Sequence, residues 1–337
     1  MDKITTLSQF LSLGGSQFHV YEMGRRVQHI DANTFEKIEA LNLPYPSPLQ
    51  GHAQFALVFW DETQAHFIWF LKLPLDEQGL LSPAPRTQFI KMIIEALGNS
   101  PTQTLTEAQQ EKLANHPFSF KPSPEKLAIF NALVRQQLHQ PPSKQYQNAY
   151  DYLAEKKQHS QWENVGLQGI ADICVRNKNK AHLQLLQHGL SQSPSEVQVA
   201  ICQCLEHLTF DASLANLLLN QIINKENDHN IYRFRALASY PDLAKEAIMH
   251  WHQKNQLTPE LLITIAARNW TTLQDPQLQI LYLDALAEHE QALFNQLFIE
   301  LVAIPTLRPL LLAQLRNPKR SIQLTQAIGG LFKATKL

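Results

Sequence analysis

Few side chains in this sequence have the type and spacing that chemistry needs. Asp76-Glu77 follow Leu73-Pro74 at the end of an apolar run, and carboxylates at a strand end can serve as acid, base or metal ligand. No spacing assigns them a partner His or Lys, and a turn after Pro74 accounts for them equally well. They are still the first place to look for an N-terminal site. Arg25-Arg26, beside Tyr21, could hold an anion. In a strand, however, successive side chains point to opposite faces, so the pair reads better as a solvated strand end. At the other end of the chain Arg316, Lys319 and Arg320 cluster around Asn317-Pro318, with Arg308 one or two turns earlier. Such cations can follow a phosphate backbone. The plainer expectation is that they solubilise the last helices.

Other suggestive groups fail on geometry. Gly14-Gly15-Ser16 lacks the spaced glycines and the Gly-Lys-Ser/Thr ending of a phosphate loop, and reads as a helix stop. Cys202 and Cys204 lie about 200° apart around a helix, so they cannot share a zinc ion. Cys204 and His207 do share a face, but two ligands make no site. His250 and His252 also diverge. No metal, cofactor or catalytic residue is expected.

The bulk properties bound what remains. A chain of 337 residues is long for one compact domain, and two units are expected. Apolar residues at 44% against 18% charged supply real cores, unlike a disordered chain. The net charge of −1 gives no global field toward nucleic acid or membrane. Its distribution is uneven: no acidic residue follows Glu300, whereas Arg308, Arg316, Lys319, Arg320, Lys333 and Lys336 do. Three cysteines argue against a disulfide framework and fit a reducing cytosol. The polar start of the chain has no secretory pattern. Its apolar runs break well short of the roughly 20 residues that span a bilayer, so a cytoplasmic protein without a membrane segment is expected.

The N-terminal part, residues 1–115, reads as a small α/β domain. A short helix is expected over Thr5 to Leu13, then extended segments over Gln17 to Glu22 and Arg25 to Ile30 around a Met23-Gly24 turn. One or two helical turns follow over Thr34 to Leu41. Pro44, Pro46 and Pro48 make a stiff non-helical connector. Ala53 to Trp60 and His66 to Leu73 are rich in aromatic and β-branched residues around the polar Asp61 to Gln64, which reads as a hairpin. Both strands are apolar at nearly every position, so at least one lies in a sheet covered on both faces. Covering helices are expected over Arg86 to Leu97 and about Thr106 to Asn115.

Beyond the proline-rich Asn115 to Pro124 the strand signals stop, and residues 123–337 read as all-α. Ser123-Pro124, Ser193-Pro194, Thr258-Pro259 and Asp275-Pro276 each put a capping side chain before a proline at the first helical position, where its missing N–H costs nothing. Ser193-Pro-Ser-Glu196 also matches a capping box. First helices align at Val165, Val197, Ile231 and Leu261, starting 32, 34 and 30 residues apart, each followed by a Leu-rich helix. Such pairs cannot bury their apolar faces alone, so neighbours must stack. An irregular helical bundle is the alternative arrangement. The fold class expected is therefore α+β, a short antiparallel sheet followed by a helical-repeat stack.

The phrases Thr6-Leu-Ser-Gln-Phe-Leu-Ser-Leu-Gly-Gly-Ser-Gln-Phe18, Tyr21-Glu-Met-Gly-Arg-Arg26 and Ile68-Trp-Phe-Leu-Lys-Leu-Pro-Leu-Asp-Glu-Gln-Gly-Leu80 resemble a gammaproteobacterial family of unknown function, the one numbered three-five-four-nine among such families. The resemblance covers the full length and implies no activity and no catalytic residues. The helical part is similar to short HEAT-like repeats. Stacks of this kind offer long binding surfaces that need no sharp motif. The expected function is therefore a non-enzymatic interaction protein whose partner is another protein. One alternative is nucleic-acid binding through the basic C-terminal helices. A second is an enzyme with its site at the domain junction near Asp76 and Glu77.

Overall fold

The computed structural model describes residues 4–61, 66–98, 106–107, 116–155, 159–225 and 227–335. The chain divides into two compact units, Met1–Pro122 with Val302–Arg308, and Ser123–Leu301 with Pro309–Leu337.

The first unit holds α1 (Leu7–Leu13), β1 (Gln17–Glu22), β2 (Gln28–Ile30), α2 (Ala32–Glu39), β3 (His52–Trp60), β4 (His66–Pro74) and α3 (Pro83–Leu97). The strands form one antiparallel sheet in the order β2-β1-β3-β4. Central β3 meets β1 with Leu57 opposite Val20 and β4 with Leu57 opposite Trp69. Its alternate residues Phe55, Leu57 and Phe59 enter a core with Phe10 of α1, Phe35 of α2 and Phe89 of α3. Burial of each such side chain is worth about 1.5–3 kcal/mol. Ala56 and Val58, on the opposite face of β3, are also fully buried, as the unbroken apolar run anticipates. The segment around Ser119 runs along β4, with Lys72 N–H donating to the Phe118 carbonyl at 2.7 Å. The helix expected over about Thr106 to Asn115, and most of the turn after Asp61, lie outside the described residues.

Local capping explains where these helices begin. Thr6 accepts the Gln9 amide and Asp31 accepts that of Thr34, each at the N-cap. Glu39, at the end of α2, receives the Leu7 and Ser8 amides at 2.7 and 3.0 Å, which ties the start of α1 to α2.

The second unit is a run of helices: α4 (Pro124–Gln137), α5 (Tyr146–Leu153), α6 (Leu167–Val175), α7 (Lys180–Gln192), α8 (Ser195–Leu205), α9 (Ala212–Asn224), α10 (Asn230–Ala236), α11 (Pro241–Gln253), α12 (Pro259–Ala267), α13 (Pro276–Ala287), α14 (Gln291–Val302), α15 (Arg308–Gln314) and α16 (Ile322–Thr335). The packing alternates. In one layer α4 packs on α6, α6 on α8, α8 on α10 and α10 on α12; in the other α5 packs on α7, α7 on α9 and α9 on α11. The four first helices aligned by sequence, α6, α8, α10 and α12, therefore fall in one layer, giving a repeat-like helical region.

Three of the four expected proline starts cap as the sequence implies. Ser123 accepts the Lys126 amide, Thr258 that of Leu261, and Asp275 those of Gln277 and Leu278. The fourth differs. Helix α8 begins at Ser195 with Pro194 at its N-cap, and Glu196 meets the Ser195 hydroxyl instead of returning to Ser193. Ser193 serves the preceding helix, its amide donating to the Gly189 carbonyl at the end of α7. With the Ser193 amide committed there, no capping box forms.

Candidate functional site

The residues singled out for anion binding serve different ends. Arg320 turns back on the end of α15, donating to the Leu315 carbonyl at 2.6 Å and to that of Gln314 at 3.3 Å. It thus satisfies carbonyls that the helix leaves unpaired. Asn317 shapes the same turn by accepting the Lys319 amide at 2.9 Å. Arg316 and Lys319 remain exposed on that turn. Arg308, which groups with the first unit, donates to the backbone carbonyl of Glu77. Two positions 231 residues apart, each marked for a separate site, thereby meet.

Asp76 and Glu77 are exposed. The Asp76 carboxylate accepts the Gln78 and Leu80 amides at 2.8 and 2.9 Å and so closes a turn completed by Gly79 at φ +82°. Arg25 and Arg26 overturn an expectation. They are not a solvated strand end: β2 begins only at Gln28, and both arginines are buried, at 1% and 4% exposure, in the loop before it. The cause is Glu22, itself buried, whose carboxylate accepts the amides of Gly24, Arg25 and Arg26 at 2.5, 2.9 and 2.8 Å. A side chain at position 24 would come within 2.9 Å of that carboxylate, which fixes glycine there. Arg25 reaches the proline connector, with Nε donating to the Pro48 carbonyl at 2.7 Å.

One densely bonded charged group of the second unit carried no sequence signal. Glu206, at the end of α8 and 2% exposed, takes Arg235 of α10 on both oxygens and Arg268, at the end of α12, at 3.1 Å. His207 lies 3.5 Å away. Burial opposes ionisation, but His207, Arg235 and Arg268 outweigh it and hold the carboxyl at about 2. Arg233, two residues before Arg235, binds Gln198, Gln221 and Asn230. Nearer the start of the unit, the Tyr146 hydroxyl meets His182 Nε2 at 2.8 Å, while the buried His182 Nδ1 has no hydrogen-bond partner. Burial, then Arg176, lowers the His182 pKa.

Cys174, Cys202 and Cys204 are buried free thiols. Burial pushes Cys202 up to about 12, which suits packing rather than nucleophilic chemistry. Among the described residues no three His, Cys, Asp or Glu side chains are grouped to hold a metal ion. No helix among them is long and apolar enough to cross a membrane. A cleft of about 560 Å³ is lined by Leu257, Ile280 and Leu281 together with His252, Asp284 and Glu288.

A family model described as protein of unknown function, DUF3549, matches residues 2–332. The chain belongs to this family. The match takes in the sheet, the helical layers and most of α16. No curated protein and no solved structure matches the chain. Family membership thus assigns no activity, and function has to be read from the side chains themselves.

Proposed function

We propose that this member of the family is a cytoplasmic, non-enzymatic interaction protein that binds another protein through a HEAT-like helical stack. One observation carries the proposal. Among the described residues, no large apolar side chain is exposed from Pro124 to Gln253, whereas Ile263, Ile280, Ile299, Leu312, Ile322 and Phe332 are all exposed in the five helices that follow. Isolated exposed apolar residues need no explanation, but a concentration of them marks an interaction surface. The alternating layers supply a surface that extends with each added helix pair, and the cleft around Ile280 and Leu281 adds a polar-rimmed apolar recess. The buried free thiols fit a reducing compartment.

The test places a photo-crosslinking residue at Ile263, Ile280 or Ile299 of the full chain in cells, with exposed Ser191 as the control position. Recurrent protein adducts from the three sites and none from position 191 are expected. Adducts no more frequent than at position 191 would overturn the proposal.

A further inference from the structure

Helix α16 has one face that the fold explains and one that it does not. Leu324, Ala327, Ile328 and Leu331 are buried, and α16 packs on α13. Beside this face lies Gln291, at the start of α14. Its amide donates to the Ala327 carbonyl at 2.8 Å and to Asn295 at 2.7 Å. A side chain at Gly330 would come within 2.2 Å of that amide, so Gln291 would have to swing away and give up these bonds.

The adjacent Gly329 meets no such obstacle. A Cβ built on it would meet nothing within 4 Å, and glycine inside a helix costs roughly 1 kcal/mol against alanine. Ile322, Thr325, Gly329 and Phe332 are spaced three, four and three residues apart, which puts them on one outward face, and Lys333 adjoins it. Ile322 is 73% exposed and Phe332 49%. The face is thus apolar at both ends and bare in the middle, where another backbone can approach closely.

Charge selects the occupant. No acidic residue follows Glu300, Arg316 and Lys319 are exposed in the turn that leads into α16, and Lys333 is exposed on it; Asp284 of α13, which reaches the start of α16, is engaged by the Ser321 hydroxyl at 2.7 Å. Two copies meeting across α16 would bring these cations together. An amphipathic helix with acidic flanks would instead set its apolar seam on Ile322 and Phe332, its backbone over Gly329 and its carboxylates near the cations. We infer that the outer face of α16 docks an acidic amphipathic helix of a different protein. This rests on the interaction reading above and names the partner's chemistry.

The probe is a fluorescent peptide with a leucine seam and glutamate flanks, titrated against the full chain. Two controls accompany it, the same seam with lysine flanks and a scrambled acidic peptide. The acidic amphipathic peptide should bind at least tenfold more tightly than either control and weaken with salt. Gly329→Leu and Ile322→Glu should each reduce its affinity at least tenfold without lowering the melting temperature, since both positions face solvent. Equal binding of the lysine peptide, or full affinity in both variants, would overturn the inference. So would a dimer in sedimentation that Gly329→Leu dissolves, or displacement of the peptide by a DNA duplex. Cross-links from Ile263, Ile280 and Ile299 that persist when the peptide fails would sink the α16 face alone. Loss of both would sink the interaction reading as well.

Discussion

Glu206 and Arg235 meet as a two-point pair, Oε2 accepting from Nε at 2.6 Å and Oε1 from Nη2 at 3.0 Å, although 29 residues separate them. Removing one partner of a buried pair leaves the other charge uncompensated, so Glu206→Gln should cost about 3–5 kcal/mol of stability. The pH dependence has a definite sign. The carboxyl is held at about 2 in the folded chain against about 4.3 when unfolded. Its contribution is therefore complete above that unfolded value and is lost as pH falls through about 2. Denaturant unfolding should show the gap between the parent chain and Glu206→Gln shrinking between pH 5 and pH 2. A gap of constant size would mean that the charge is not what Glu206 contributes.

Two glycines should respond in opposite directions. A Cβ at Gly169 of α6 would lie 2.5 Å from the Gln145 carbonyl and 2.8 Å from Ala149 of α5. Gly169→Ala should therefore cost about 1–3 kcal/mol through overpacking. Gly329→Ala meets open space and should raise stability by about 0.5–1 kcal/mol. Unfolding midpoints that move the same way in both would contradict this placement of the helices.

The three thiols offer a check that needs no mutation. Only the thiolate is nucleophilic, and burial pushes Cys174 and Cys202 well above their ordinary range. An aromatic disulfide reagent should titrate no thiol in the native chain and three in denaturant. A fast-reacting native cysteine would show that the helical core is open to solvent.

Arg320 and its basic neighbours should separate by assay. Arg320→Ala removes the Nη1 donor that serves two carbonyls at the end of α15 and should cost on the order of 1 kcal/mol. Arg316→Ala and Lys319→Ala, exposed on the same turn, should stay within about 0.5 kcal/mol of the parent. If these cations followed a phosphate backbone, DNA affinity would fall with salt by about 0.9 log units per log unit for each phosphate neutralised. The interaction reading expects no such binding in filter or gel-shift assays.

How legible the fold was depended on how local its causes are. β1 matches its expected span residue for residue, and β3 and β4 differ from theirs by one residue, because runs such as Phe55 to Phe59 announce burial without reference to the rest of the chain. Ser123, Thr258 and Asp275 cap as read because each acts within three residues of itself. Pro241 opens α11 behind Tyr240, a residue outside the usual capping set, whose hydroxyl is engaged by the Phe210 backbone. The burial of Arg25 depends on Pro48, and the pairing of Glu206 on residues 29 and 62 positions away. No window of sequence contains such pairs. The outward face of α16 was visible only as a basic tail, because spacing alone does not say which of two adjacent glycines is enclosed.

In a stack of helix pairs that touch only their neighbours, each pair can melt with modest penalty to the rest, and unfolding proceeds piecemeal. Glu206 reaches past that limit, joining the end of α8 to α10 and to the end of α12. Fraying α12 would strip Arg268 from a buried carboxylate and leave Arg235 and His207 alone to compensate its charge, which penalises partial opening in the middle of the run. Amide protons from α8 through α12 should therefore exchange as a single cooperative block, a rigid central segment from which the apolar C-terminal helices are presented.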